Sequence, residues 1–169
     1  SSLTPRLSGQ SSAYLKLALE EYRANRRQSG IMEPVAAELT NDQIEQLADY
    51  FAGLPPRPPL VGDASDAIEL GRDIAENGIP DRGVGACTSC HGGMAEETYP
   101  VLAGQSQTYL QNQLRLFRDG ARAETPQAEL MSAVAARLEH SEIDAVSAYF
   151  AATAPVVRNA PAADTRGQR

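Results

Sequence analysis

Cys87 and Cys90 stand three residues apart, and His91 follows at once, in the stretch Cys87-Thr88-Ser89-Cys90-His91. They are the only two cysteines of the 169 residues, so no disulfide network staples the chain and all thiol chemistry is local. On one turn of helix, two sulfurs at this spacing can form thioethers to the two vinyl groups of one porphyrin, and the next residue then places an imidazole beneath the iron. Three other uses compete. A structural zinc ion wants about four Cys or His ligands, and the chain has one further histidine, His140. A thioredoxin-like dithiol expects a strand-helix-strand setting, and a plain disulfide leaves His91 without a task.

An iron bound by His91 needs a ligand on its opposite face. Met94 lies three residues beyond His91 and stays on the same side, where packing or surface exposure is its expected role. Met131 lies well downstream, after a helical stretch long enough to carry the chain around a macrocycle and after Glu124-Thr125-Pro126, read here as flexible. It can reach across, although the usual task of a methionine is core filling. His140 is the rival, but Leu138-Glu139-His140-Ser141 reads as a polar helix start that leaves it exposed.

The elements that must position these residues repeat. PRLSGQSSAYLKLALEEYR, from Pro5, lies on PVLAGQSQTYLQNQLRLFR, from Pro100, pairing Gly9 with Gly104, Gln10 with Gln105 and Tyr14 with Tyr109. After a short length difference the register resumes, pairing Met32 with Met131, Ile44 with Ile143, and Tyr50-Phe51 with Tyr149-Phe150. Between the copies, Leu54-Pro55-Pro56-Arg57-Pro58-Pro59 reads as a stiff linker, which divides the chain into lobes 1–57 and 58–169.

Apolar residues recur at helical spacing in both lobes, with no convincing strand, so the fold class is all-α. Ser11 or Ser12 is placed to cap a helix bearing Tyr14 to Tyr22. Asn41 or Asp42 is placed to cap a helix with Ile44, Leu47, Tyr50 and Phe51, and Ser141 to cap its twin. A further helix is expected from about Ser65 to Ala75, then a glycine-rich loop up to the cysteines. The end from Ala154 to Arg169 lacks periodicity and reads as coil.

With 15 basic against 22 acidic residues the net charge is −7, the wrong sign for a protein that neutralises nucleic-acid phosphates. Residues 1–60 hold seven acids and six bases, whereas residues 61–169 hold fifteen and nine, so the acidic surplus belongs to the second lobe. It could steer a basic partner or serve solubility alone. No apolar run approaches the roughly 18 to 20 residues of a membrane span, so membrane association is expected only through a partner.

Taken together, CTSCHGG, the PxLxGQxxxYL segment in both lobes and the methionine seven residues before a leucine resemble a diheme cytochrome c of the cytochrome c4 type, from Pro5 to Phe150. The resemblance implies two tandem class I cytochrome c-like lobes, a periplasmic location, and electron transfer to a membrane terminal oxidase or another redox partner. It further implies haem c on Cys87 and Cys90, His91 and Met131 as axial ligands, and the Pro100 carbonyl as acceptor for the imidazole N–H.

One departure is large. Nine residues separate His91 from Pro100, so the counterpart histidine of Pro5 would fall before Ser1, and the first lobe shows no CxxCH. A lobe of under about 60 residues is marginal without its cofactor. An upstream segment is therefore expected, with Met32 as axial ligand of a first haem, although a naturally haemless lobe is the alternative. Six filled iron positions suit an electron carrier and leave no catalytic residue to name. The competing functions are a cytochrome subunit that accepts electrons from a flavin or quinone dehydrogenase and, less favoured, a catalytic haem enzyme with a displaceable Met131.

Overall fold

The computed structural model describes residues 3–59, 65–92 and 97–155. The first lobe comprises α1 (Ser12–Arg23), α2 (Met32–Ala37) and α3 (Asn41–Gly53). The second comprises α4 (Asp66–Asn77), a 3-10 turn at Pro80–Arg82, α5 (Thr88–His91), α6 (Gln107–Arg118), α7 (Pro126–Ala135) and α8 (His140–Ala152). Helices α1, α2 and α3 match α6, α7 and α8 in the repeat. Among the described residues there is no strand, only an isolated bridge between Ile79 and Val84 that closes the loop after α4.

Local chemistry explains the helix starts, with two caps shifted from expectation. Ser11, one of the two serines expected there, caps α1 by accepting from the Tyr14 N–H. Thr40, one residue ahead of Asn41 and Asp42, caps α3 and forms a reciprocal box with Gln43. In place of Ser141, Glu139 caps α8 in a box with Glu142. Glu124-Thr125-Pro126 is no flexible stretch either, because Thr125 caps α7 and Pro126 occupies its first turn, where a missing N–H costs nothing. Met131 therefore sits inside a helix rather than after a loose segment.

The second lobe closes around the crossing of α4 and α8. A Cβ at Gly71 would lie 2.1 Å from the Ala145 carbonyl oxygen, so only glycine allows these backbones to approach so closely. Ile74, Val84, Leu138, Ile143 and Val146 fill the core beneath. Val146 is 2% exposed, whereas Leu47, its counterpart in α3, is 37% exposed and Tyr50 is 62% exposed. Among the described residues no helix covers that face of α3 as α4 covers α8.

The lobes meet through matched polar contacts. Gln10 on the first lobe bonds the backbone of Val101, and Gln105 on the second bonds the backbone of Arg6. The proline-rich segment is packed rather than free: at Gly9, where φ is +79°, a Cβ would stand 2.7 Å from the Pro56 Cβ. Of the coil expected at the end of the chain, residues 156–169 lie outside the described residues, as does Met94.

Candidate functional site

Helix α5 is a single turn that begins with Cys87 at its N-cap and ends on His91. The Thr88 hydroxyl donates to the Ala75 carbonyl at 3.2 Å, which ties this turn to α4. Cys87 packs beside Ala75, Leu110 and Phe150, so α4, α6 and α8 together hold the first thiol. Neither cysteine is in a disulfide, and both are half-buried. Burial pushes the Cys87 thiol above its ordinary range, which keeps it protonated at neutral pH.

His91 is 8% exposed. Burial pushes its imidazole below the ordinary value, against the opposing pull of the Pro100 carbonyl, so the ring is a neutral potential ligand. Its Nδ1 lies 2.9 Å from the Pro100 oxygen. With the N–H on Nδ1, the lone pair is on Nε2, where a metal would be bound. The Tyr99 ring stands edge-on to the imidazole, with centroids 6.2 Å apart.

Met131 lies half-buried on α7 against the cluster of Phe117, Ala128 and Ala135, which Leu114 also packs against. Helix α6 contributes to two separate apolar clusters, with Leu110 in the one that Cys87 packs against and Phe117 in the one that Met131 packs against. His140 is exposed, and its Nε2 lies 2.8 Å from an Arg118 guanidinium nitrogen. Met32 opens α2, half-buried, in the matching place of the first lobe.

Two further groups had no role in the sequence reading. The Gln10 carboxamide reaches the backbone next to Pro100, and its identity with Gln105 across the repeat was the available signal. Arg27 and Arg122, also matched across the repeat, lie with Tyr14 and Tyr109 in one cluster at the lobe boundary, Arg27 buried and the other three half-buried. Each guanidinium covers a ring, Arg27 that of Tyr22 at 4.8 Å and Arg122 that of Phe117 at 4.4 Å.

Paired thiols on one helical turn and a neutral imidazole oriented by a backbone carbonyl suit a covalently held haem. In an all-α fold of two lobes they define a c-type cytochrome. The chain belongs to the cytochrome c family, whose pattern matches residues 68–154. Within it the chain is of the cytochrome c4 type. The solved structure of reduced recombinant cytochrome c4 from Pseudomonas stutzeri superposes with a TM-score of 0.83 at 28% identity, covering 90% of this chain and 86% of that one. Cytochrome c4 of Thiocapsa roseopersicina is 35% identical over 151 residues, which is 86% of this chain and 77% of that protein. A "thiosulfate dehydrogenase electron acceptor" of Stutzerimonas stutzeri (strain A1501) is 34% identical over 151 residues, covering 87% of this chain and 69% of that protein. The chain is accordingly an electron-transfer protein carrying haem c, and its partners are redox proteins.

Proposed function

We propose that Cys87 and Cys90 would hold the haem by thioethers and that His91 Nε2 and Met131 Sδ would ligate its iron. The observation that carries this reading is the 2.9 Å contact between His91 Nδ1 and Pro100, which orients the ring directly after the two thiols. When bound, the haem supplies a one-electron ferrous/ferric couple, and a thioether ligand favours the ferrous state. The chain's own part is to hold the imidazole in one tautomer and to give Cys87 apolar neighbours in Leu110 and Phe150, and Met131 one in Phe117. Met32 is proposed to play the part of Met131 in the first lobe, supported by its matching register and by the open apolar face of α3.

We further propose that the protein acts in the periplasm, carrying single electrons from a donor to a terminal oxidase or similar acceptor. Thioether attachment outside the cytoplasm supports this, and among the described residues no helix is long and apolar enough to cross a membrane. A second reading, in which a dehydrogenase chain is the direct donor, is favoured by the relative named as a thiosulfate dehydrogenase electron acceptor.

Acid acetone extraction followed by mass measurement tests the attachment. Colour and haem mass are expected to stay with the polypeptide, and colour released into the solvent would overturn the assignment. Met131→Ala is expected to abolish the weak far-red ferric band of an iron-thioether bond and to lower the potential. Persistence of that band would remove Met131 from the iron.

A further inference from the structure

The peptide between Pro100 and Val101 is held at both ends. Its carbonyl, on Pro100, faces His91 Nδ1 at 2.9 Å. Its N–H, on Val101, donates to Gln10 Oε1 at 2.9 Å. Carbonyl and N–H belong to one conjugated, planar amide, so these are successive links of one chain rather than separate contacts. The Gln10 Nε2 also donates to the Val101 carbonyl at 2.6 Å, which fixes the carboxamide orientation. Gln10 and Val101 are 8% and 5% exposed, so water does not compete for either group.

The same device occurs in reverse. Gln105 Oε1 accepts from the Arg6 N–H at 2.7 Å, and Gln105 Nε2 donates to the Arg6 carbonyl at 3.0 Å. The amide gripped there joins Pro5 to Arg6, and Pro5 is the repeat partner of Pro100. Each lobe therefore grips, in the other, the peptide that follows the proline at the imidazole-orienting position.

We propose that Gln10 is a positioning residue for His91, acting across the lobe boundary: by bonding the Val101 N–H it fixes and polarises the Pro100 carbonyl and so sets how strongly the imidazole donates to the haem iron. The inference rests on the axial role assigned to His91. A hydrogen bond at one end of an amide strengthens that at the other, by about 10–30% in condensed-phase estimates. A stronger Nδ1–H to carbonyl bond makes Nε2 more basic, stabilises ferric iron and lowers the reduction potential. The orienting carbonyl is thereby controlled from outside its own lobe, so a loosened lobe interface changes the redox couple without touching an axial ligand.

Two substitutions with opposite signs test this on the haem-loaded full chain. Gln10→Leu removes the acceptor at nearly constant volume, and the ferrous fraction at a fixed solution potential is expected to rise severalfold. Gln10→Glu keeps an acceptor, now charged, and the ferrous fraction is expected to fall. The His91 Nδ1–H proton resonance, read in the reduced protein, is expected to move upfield in the first variant and downfield in the second. Gln105→Leu, which breaks the matching interface bond but leaves the Pro100–Val101 amide gripped, is expected to leave that resonance in place.

Parent-like resonance and potential in both Gln10 variants, or the same displacement in Gln105→Leu as in Gln10→Leu, would overturn the proposal. If Gln10→Leu fails to fold, the Gln10→Glu shift alone decides by its sign. Absence of covalent haem in the parent protein would instead refute the functional reading, so the two failures are told apart.

Discussion

The guanidinium of Arg27, in the first lobe, donates to the phenol oxygen of Tyr109, in the second, at 3.0 Å. Arg27 is 4% exposed, and among the described residues neither it nor Arg122 forms an ion pair with a carboxylate. Burial and then the charge of Arg27 push the Arg122 guanidinium below its ordinary value. Two cations of like sign are thus kept at the lobe boundary by phenol dipoles and ring faces. Glu33, whose charge raises the Tyr22 phenol, accepts the Ser29 and Gly30 N–H groups at Oε1.

This arrangement orders the tyrosine titration. Burial raises the Tyr14 phenol, but Arg27 and Arg122 outweigh it and hold Tyr14 below its ordinary value. Burial, followed by the resulting charge on Tyr14, then pushes Tyr109 up to about 12. A folded pKa raised above the ordinary 10.0 means that stability from Tyr109 is complete below that pH and is lost as pH rises through about 12. Ultraviolet titration is expected to show one phenol ionising last, and Tyr14→Phe is expected to bring it down because the guanidiniums then act on Tyr109 alone. An unchanged last phenol in that variant would break the coupling.

Gly71→Ala probes the α4–α8 crossing. The added methyl would meet the Ala145 carbonyl oxygen at 2.1 Å and its carbon at 2.6 Å, and backbone cannot swing away as a side chain can. The helices must separate above the core of Ile74, Ile143 and Val146, at a cost of about 3 kcal/mol. Denaturant unfolding checks this. A loss within about 0.5 kcal/mol, typical of a surface change, would mean that the crossing is not a close one.

Much of this architecture was legible because a repeat reports its own register. Pairing Pro5 with Pro100 and Met32 with Met131 located both lobes, and the CxxCH spacing pointed to the candidate site. Gln10 and Gln105 were visible as an identical pair, but not their task. Their partners lie 91 and 99 residues away, and helical periodicity shows which face is apolar without saying which backbone another lobe will present. The caps missed for a local reason. Thr40 and Glu139 compete with neighbours of similar capping chemistry, and the choice depends on where the preceding turn ends.

Thr125→Ala tests how firmly α7 presents Met131. The Thr125 hydroxyl accepts from the Ala128 N–H at 3.2 Å, and the residue is 6% exposed, so no water replaces the lost cap. Stability is expected to fall by about 1 kcal/mol, with Thr125→Ser recovering most of it. Given the iron ligation proposed for Met131, and because Met131 packs against the Phe117 cluster, the alanine variant is also expected to let external ligands displace that thioether faster, as read by stopped-flow absorption. Equal displacement rates in parent and variant would show that Met131 is held by its apolar neighbours and not by the helix start.

The first lobe provides the last test. Met32 holds the place of Met131, and the face of α3 that corresponds to the covered face of α8 leaves Leu47 37% exposed and Tyr50 62% exposed. A lobe built around its own haem accounts for both observations, since ligand and apolar face then have partners. Protein purified from its source is expected to contain two irons per polypeptide, with two resolved reduction steps, and Met32→Leu is expected to lower one step while leaving the other in place. A ratio of one iron would remove Met32 from any metal. In that case Met32→Leu is an ordinary volume-conserving change, costing below about 1.5 kcal/mol and shifting no potential.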